Sequence, residues 1–239
     1  MRGIILAGGK GTRLQPATLA MNKHMVPIVN RPMILYPLDT LKSIGITDIM
    51  IVSGGNHIGA FADFLGDGSE YGVQLTYRVQ KEAGGIAQAL KLAKDFVGDQ
   101  KVAVILGDNI FEFDGEYVQE VVNLDNPDQA HIFLKEVEDA FRFGVVIEKE
   151  GRGEIVEKPA GMGKGNAVTG LYIYPPDVFD IIDNLVPSDR GELEISDVNQ
   201  FYLKDKRLIA TQLSGFWSDA GTPESLVRTI NWVINKKHE

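Results

Sequence analysis

The fold is set near the N-terminus by the apolar run Gly3-Ile-Ile-Leu-Ala7, which continues directly into Gly8-Gly-Lys-Gly-Thr-Arg-Leu14. A short β-branched run before a cluster of glycines predicts a buried first strand that ends in a loop. Glycines in such a loop allow close backbone approach and positive φ angles, so that successive amide groups can point at an anion. The nearby cations Arg13 and Lys23 make a polyphosphate the ligand that suits this loop.

Two common phosphate-binding motifs do not fit this loop. A P-loop needs Gly-Lys-Ser/Thr after its spacer residues, but here Gly11 follows Lys10. The dinucleotide-binding fingerprint needs a glycine where Leu14 stands. The glycines alone therefore leave open a second interpretation, a tight turn that binds nothing.

Short β-branched runs alternate with longer amphipathic segments along the rest of the chain, which is typical of a sheet covered by helices. Strands are predicted at Gly3–Ala7, Ile49–Ser53, Leu75–Val79, Val102–Leu106, Ile132–Val137, Gly144–Glu148, Thr169–Tyr174 and Leu208–Gln212. Helices are predicted at Pro32–Ser43, Ile58–Phe64, Ile86–Phe96, Pro176–Asn184, Ser196–Lys204 and Thr222–Lys236. Beyond about Ala130, strands follow one another with little helix between them. We therefore expect an α/β protein whose parallel sheet has an antiparallel or mixed extension.

The composition excludes several classes of protein. The 239 residues include 33 Asp or Glu and 24 Lys or Arg, and the resulting net charge of −9 is opposite in sign to that of a general nucleic-acid binder. The absence of cysteine excludes a disulfide scaffold, a thiolate nucleophile and a Cys-ligated zinc site. No apolar stretch approaches the ~20 residues that span a bilayer, and no signal-peptide cleavage pattern is present. We expect a cytoplasmic protein with no nucleic-acid or membrane partner.

Two aspartates are candidate metal ligands. Asp108 follows the run Val102–Leu106 and so stands at the carboxyl end of a predicted strand, where ligands bind in open α/β sheets. Asp219 immediately precedes the last predicted helix. Either residue could instead cap a turn or a helix. Asn109 and Asp114 are nearby polar residues that we interpret as ordinary loop residues.

Motifs along the whole chain resemble those of the sugar-1-phosphate nucleotidylyltransferases. In unbroken order they are Leu6–Leu14, Asn22–Pro27, Tyr77–Gln80, Gly84–Ala89, Leu106–Phe111, Glu157–Pro159, Ala167–Tyr172, Arg190–Asp197 and Trp217–Thr222. The resemblance implies a Rossmann-like α/β/α sandwich with a mixed, mainly parallel central sheet. It also implies a single domain over residues 1–239, with a nucleotide-binding part at about 1–110 and a sugar-binding part at about 111–239.

The resemblance further implies a reaction. It is closest to members that condense glucose 1-phosphate with dTTP, giving dTDP-glucose for deoxysugars such as rhamnose and for cell-surface polysaccharides. A possible homo-oligomer is compatible with it. The chain ends where longer members continue into a further helical segment, so weak feedback control is expected.

Roles for individual residues also follow from the resemblance. The catalytic cations are expected to be Arg13 on the leaving pyrophosphate, Lys23 on the α-phosphate and Lys158 on the sugar phosphate. The nucleotide is expected to contact Leu6, Gly8, Gly9, Gly11, Thr12, Arg13, His24, Gln80, Gly85 and Asp108. The sugar is expected to contact Gly144, Glu157, Lys158, Val168, Tyr172, Glu194 and Trp217. One Mg²⁺ is expected on Asp108 and Asp219, because this ion takes one or two carboxylates together with phosphate oxygens.

Two positions depart from the family pattern, and other functions remain to be weighed. His24 stands where many members have glutamine, and Phe143 stands where tyrosine is frequent. A UTP-preferring uridylyltransferase and a non-catalytic regulatory subunit that binds nucleotide-sugar are the alternatives. A glycosyltransferase would not need the cations Arg13 and Lys23, and a glycosidase with two carboxylates would leave them unexplained.

Overall fold

The computed structural model describes residues 1–112, 127–149 and 151–236, so Asp114 lies outside the described residues. Its centre is a nine-stranded sheet. The strands of this sheet are β1 (Arg2–Leu6), β4 (Asp48–Gly54), β5 (Gln74–Gln80), β6 (Val102–Leu106), β8 (Ala130–Val137), β9 (Gly144–Lys149), β10 (Arg152–Glu157), β11 (Gly165–Tyr174) and β12 (Leu208–Gln212). Two short pairs lie apart from it: β2 (Pro27–Ile28) with β3 (Arg31–Pro32), and β7 (Ile110–Phe111) with β13 (Trp217–Ser218).

The topology of the sheet creates a binding cleft. Strand β1 lies between β4 and β6 and is parallel to both, and β5 continues the parallel part beyond β4. Strand β11 runs antiparallel to β6 and β8, which confirms the mixed character predicted from the sequence. The chain leaves β1 towards β4 on one side and returns to β6 on the other. The carboxyl ends of β1 and β6 therefore form a switch point, where open α/β sheets bind ligands.

Helices cover both faces of the sheet. They are Ala17–Ala20, Leu35–Ser43, Ile58–Leu65, Ile86–Lys91, Lys94–Val97, Val178–Asp183, Ile195–Lys204 and Pro223–Lys236. Successive residues of a strand point to opposite faces, so Ile4 packs into one core and Ile5 into another. The two cores on opposite faces confirm an α/β/α sandwich. No helix of residues 1–112, 127–149 or 151–236 is long and apolar enough to cross a membrane.

Two of the differences between the predicted and the observed elements have a clear local cause. Strand β10 was not predicted, because its sequence Arg-Gly-Glu-Ile-Val-Glu is largely polar; it is an edge strand that pairs with β9. The single helix predicted over Ile86–Phe96 is two helices. At the break, the N–H groups of Leu92 and Ala93 donate to carbonyl groups only three residues earlier, which tightens the turn and ends the first helix.

Candidate active site

Two adjoining cavities occupy the cleft at the carboxyl ends of β1, β5 and β6. The loop cavity, of about 350 Å³, is bounded by the glycine loop, and the predicted residues that line it are Leu6, Gly8, Gly9, Arg13, Lys23, Gln80, Gly85 and Asp108. The inner cavity, of about 170 Å³, reaches towards β9 and β11, and the predicted residues that line it are Arg13, Asp108, Gly144, Glu157, Lys158, Val168, Tyr172, Trp217 and Asp219. Arg13 and Asp108 line both cavities, so the two meet at a cation and a carboxylate.

The glycine loop is shaped by close contacts as well as by positive φ angles. A Cβ atom at Gly8 would come within 2.8 Å of Gln80 Oε1, so a side chain at position 8 would displace the Gln80 amide. Gly11 has a φ of 63° and precedes the 3-10 turn Thr12–Leu14, which carries Arg13. Gly11 and Thr12 thus form the loop but do not line either cavity.

The two predicted metal ligands converge, although they are far apart in the sequence. Asp108 and Asp219 are each 8% exposed. Gly221 lies between them, since a Cβ atom there would come within 3.2 Å of Asp108 Oδ2 and 3.4 Å of Asp219 Oδ2. Among the described residues, no group of three or more acidic, histidine or cysteine side chains could hold a metal ion. Two hard oxygen donors beside an open cleft suit Mg²⁺, whose other ligands are usually water and phosphate oxygens.

Each of these carboxylates has a cationic partner. Lys23 Nζ donates to Asp108 Oδ2 at 2.5 Å, and Arg142 Nη2 donates to Asp219 Oδ2. Burial acts to raise the pKa of Asp108, but the charge of Lys23 and the hydrogen bonds from Lys23 and Asn109 hold that pKa below its usual value. Burial and the charge of Asp108 raise the pKa of Asp219, although Arg142 opposes this. Sequence reasoning assigned no role to Arg142.

A second cluster of charges lines the inner cavity around Glu157. This carboxylate accepts hydrogen bonds from Ser196 Oγ at 2.5 Å and from Arg190 Nη2 at 3.2 Å, and Lys158 Nζ lies 2.9 Å away. Lys158 has a φ of 44°, a left-handed conformation uncommon for a lysine. A Cβ atom at Gly144 would come within 2.6 Å of Ser196 Oγ, so the glycine keeps this wall of the cavity compact.

Asn109 joins the turn after β6 to β11 and β13 beside the inner cavity. Its Oδ1 accepts from the Gly170 N–H at 2.9 Å and from Trp217 Nε1 at 2.8 Å, and its Nδ2 donates to Asp108 Oδ1 at 3.0 Å. Asn109 lies in the loop between β6 and β7, as interpreted from the sequence, but it is buried and fully engaged in hydrogen bonds. The Trp217 ring lies edge-on to Phe143, with centroids 5.1 Å apart.

Comparison with known proteins places the chain in a family. The family described as nucleotidyl transferase matches residues 2–236. The chain belongs to that family. The resemblance seen in the sequence is thereby confirmed.

Relatives of this nucleotidyl transferase carry more specific names. A glucose-1-phosphate thymidylyltransferase of Neisseria meningitidis serogroup A / serotype 4A is 41% identical over 240 residues, covering 98% of this chain and 82% of that protein. A Bacillus anthracis protein assigned as a glucose-1-phosphate thymidylyltransferase, crystallised with sucrose, is 50% identical with a TM-score of 0.89 and covers 97% of this chain and 94% of its own. A UDP-glucose pyrophosphorylase solved with UDP-glucose is 27% identical with a TM-score of 0.84, covering 98% of both chains.

The structure of this nucleotidyl transferase does not bring His24 to the loop cavity. His24 is 1% exposed, and its Nδ1 lies 2.7 Å from Asn22 Oδ1. Gly107 covers the ring, since a Cβ atom there would come within 2.7 Å of His24 Cδ2. Burial, aided by the charge of Lys23, lowers the pKa of His24 to about 3. The expectation that His24 contacts the nucleotide base is corrected accordingly: the imidazole is part of the protein interior.

Glu194 also lies outside the cavity that it was expected to line. It is 7% exposed and accepts hydrogen bonds from Ser188 Oγ at 2.7 Å and Arg190 Nη2 at 2.7 Å. Its carboxylate therefore holds Arg190, and Arg190 in turn reaches Glu157. Sequence reasoning quoted the segment Arg190–Asp197 without assigning Arg190 a role, although a lone cation before Glu192 and Glu194 was a usable signal.

Proposed function

We propose that this nucleotidyl transferase condenses glucose 1-phosphate with dTTP to give dTDP-glucose and pyrophosphate. The observation that carries the proposal is that the two cavities meet at Arg13 and Asp108. A nucleotide in the loop cavity and a sugar phosphate in the inner cavity would have their phosphates at this junction. The relatives named as glucose-1-phosphate thymidylyltransferases support the choice of substrates.

The cavities also support separate nucleotide-binding and sugar-binding parts of the chain. We assign nucleotide binding to about residues 1–110, because most of the loop cavity lining comes from this part. Glu192 is the exception, and it reaches the loop cavity from the later part. We assign sugar binding to about residues 111–239, which supply Gly144, Glu157, Val168 and Trp217 to the inner cavity.

The proposed chemistry needs positioned charge and no protein nucleophile. A phosphate oxygen of glucose 1-phosphate attacks the α-phosphorus of dTTP, and the bond from that phosphorus to the oxygen of the departing pyrophosphate breaks. Transfers of this type depend chiefly on alignment and charge stabilisation. Arg13 would neutralise the pyrophosphate, and Lys23 would neutralise the α-phosphate. The short Lys23 contact to Asp108 supports this role, because it holds the ammonium group at the junction.

The inner cavity supplies the groups for the sugar phosphate. Lys158 would hold the attacking phosphate, and Glu157 would accept hydrogen bonds from sugar hydroxyl groups. Arg190 would hold Glu157 in place, since it donates to Oε1 of that carboxylate while Ser196 donates to Oε2. Val168, Tyr172 and Trp217 would form the apolar walls.

Asp108 and Asp219 are the residues that would hold one Mg²⁺. The ion, when bound, supplies positive charge that allows two anionic phosphates to approach in a partly dry site. The approach of both carboxylates to the same point beside Gly221 supports this assignment. Lys23 and Arg142 donate to the same Oδ2 atoms of Asp108 and Asp219 that lie beside Gly221, and so hold the two carboxylates in place.

An activity panel tests the proposed function. Pyrophosphate release is measured with dTTP, UTP, ATP, GTP and CTP against several sugar 1-phosphates. We expect the highest kcat/KM with dTTP and glucose 1-phosphate, and the second highest with UTP. A tenfold advantage of ATP, GTP or CTP, about 1.4 kcal/mol, would contradict the assignment. A preference for UTP would instead favour uridylyl transfer, a second candidate supported by the likeness to UDP-glucose pyrophosphorylase.

A further inference from the structure

Two glutamines beside the loop cavity form a short chain of hydrogen bonds that ends at the backbone. Gln80 stands at the end of β5 and lines the loop cavity, whereas Gln88 lies in the helix Ile86–Lys91 behind it. Gln80 Nε2 donates to Gln88 Oε1 at 2.7 Å. The backbone N–H of Gly84 donates to the same oxygen at 3.3 Å.

These hydrogen bonds determine the orientation of each side-chain amide, that is, on which side its oxygen and its nitrogen lie. A side-chain amide has a donor end and an acceptor end of similar shape, and its partners determine which is which. A backbone N–H can only donate, so the Gly84 N–H, which also donates to the Glu82 carbonyl at 3.1 Å, favours an oxygen at that end of Gln88. That oxygen in turn requires the donor end of Gln80. Gln80 Oε1 consequently lies on the other side of its amide, next to Gly8.

Gly84 permits the contact by lacking a side chain. A Cβ atom at Gly84 would come within 2.7 Å of both Gln88 Cδ and Gln88 Nε2. Any other residue at position 84 would push the Gln88 amide away from the backbone donor. The glycine, the helix residue and the strand-end glutamine therefore form one unit.

We infer that Gln88 is a positioning residue that fixes the Gln80 amide and thereby makes the loop cavity reject cytosine. The inference rests on the proposed function and on the expectation that Gln80, which lines the loop cavity, contacts the nucleotide base. Thymine and uracil present the N3–H donor beside the O4 acceptor. Cytosine seated in the same way presents an acceptor at N3 beside a donor at N4, which is the reverse order. An amide that rotates freely could pair with the edge of thymine or, after a 180° rotation, with the edge of cytosine. An amide held in one orientation pairs only with the edge of thymine or uracil.

Four variants of the full chain test this inference. Gln88→Met keeps the length of the side chain and removes the acceptor, whereas Gln88→Glu keeps an oxygen that both N–H groups can use. Gln80→Met removes the amide that reads the base. Gln100→Met alters an exposed glutamine and is the matched control.

The measurements are kcat/KM for dTTP and dCTP at saturating glucose 1-phosphate, and the Kd of each nucleotide by calorimetry without sugar. We expect Gln88→Met to lower the dTTP-to-dCTP ratio by about tenfold or more, the scale of one hydrogen bond. The change should lie mainly in the nucleotide KM, with the KM for glucose 1-phosphate unaltered. Gln88→Glu and Gln100→Met should keep the wild-type ratio.

Several results would overturn the inference. If Gln88→Met keeps the wild-type ratio while Gln80→Met loses it, Gln80 reads the base without help from Gln88. If Gln88→Glu is as unselective as Gln88→Met, the acceptor oxygen is not what matters. Failure of the proposed function is distinguishable, because the wild-type enzyme would then turn over no dTTP or would favour ATP, GTP or CTP tenfold over dTTP. The calorimetric ratio would then still decide the role of Gln88.

Discussion

Lys23 Nζ lies 2.5 Å from Asp108 Oδ2, although 85 positions separate the two residues in the sequence. The Lys23 side chain is 16% exposed and that of Asp108 is 11% exposed, so solvent screens the pair little. The attraction opposes the effect of burial and holds the pKa of Asp108 below its usual value. The junction of the two cavities therefore carries an ionised carboxylate.

The first prediction concerns this pair. Lys23→Met should lower kcat by ~10²-fold, the scale of one lost preorganised electrostatic contact. It should also raise the pKa of Asp108, because burial then acts without the opposing charge. Since the ionised carboxylate is the form that binds a metal ion, the acid limb of the pH–rate profile should move to higher pH. Lys91→Met, at an exposed ion pair with Asp183, is the control; an unmoved acid limb in Lys23→Met would refute this account.

The second prediction is that Asp108 and Asp219 act as one metal-binding unit. Asp108→Asn and Asp219→Asn should each lower kcat by ~10²-fold or more. The double variant should be little worse than either single variant, because one remaining carboxylate holds the ion poorly. Mn²⁺ binding, followed by electron paramagnetic resonance, should weaken in all three. Asp180→Asn, at an exposed carboxylate paired with Lys94, is the control. Near-full activity of Asp219→Asn at limiting Mg²⁺ would show that Asp219 is only a turn residue.

The third prediction concerns pH and stability. The pKa of His24 is lowered from 6.5 to about 3 in the folded protein. As the pH falls below 6.5, His24 binds a proton in the unfolded chain but not in the folded chain. The free energy of unfolding therefore falls progressively between pH 6.5 and about pH 3. His24→Gln should therefore reduce the slope of the unfolding free energy by up to ~1.4 kcal/mol per pH unit in this window. Urea unfolding at a series of pH values measures the slope.

His24→Gln also tests the position of the ring. Because His24 lies behind Gly107 and lines neither cavity, the ratio of kcat/KM for dTTP and UTP should stay within about twofold of wild type. A sharpened preference for either nucleotide would mean that the residue at position 24 contacts the base after all.

The fourth prediction concerns Asn109. Asn109→Leu leaves the Gly170 N–H and Trp217 Nε1 as buried donors without this acceptor. Each such loss costs ~1–3 kcal/mol, so the free energy of unfolding should fall by about 2–6 kcal/mol. Trp217 fluorescence should shift as the indole loses its partner. Asn109→Asp keeps an acceptor oxygen and should lose less stability, whereas Asn231→Leu on the exposed side of the last helix should change little.

The fifth prediction concerns Arg190. Arg190→Met should raise the KM for glucose 1-phosphate about tenfold and leave the KM for dTTP unaltered, because Arg190 contacts Glu157 and Glu194 at the inner cavity. Initial rates with each substrate varied in turn provide the comparison. Arg152→Met, at an exposed arginine of the edge strand β10, is the control. An equal rise in both KM values would point to a general structural effect.

Local sequence patterns predicted most of the central sheet and the helices that cover it. The run Gly3–Ala7, the strand before Asp108 and the final helix are each visible because their spacing of apolar residues matches a strand or a helix. The polar strand β10 escaped prediction because its stability comes from pairing with β9, a contact that the spacing of its own residues does not encode.

The residues of the candidate site also fall into two groups, those predicted from the sequence and those known only from the structure. The sequence by itself determined the glycine loop, Arg13 and the position of Asp108 at a strand end, since these depend on neighbouring residues. Only the tertiary structure decided that Arg142 pairs with Asp219, 77 positions away, and that His24 and Glu194 turn away from the cavities. The direction of a side chain is chosen by the partners that distant segments bring to it, because a buried polar group must find a hydrogen bond wherever packing provides one.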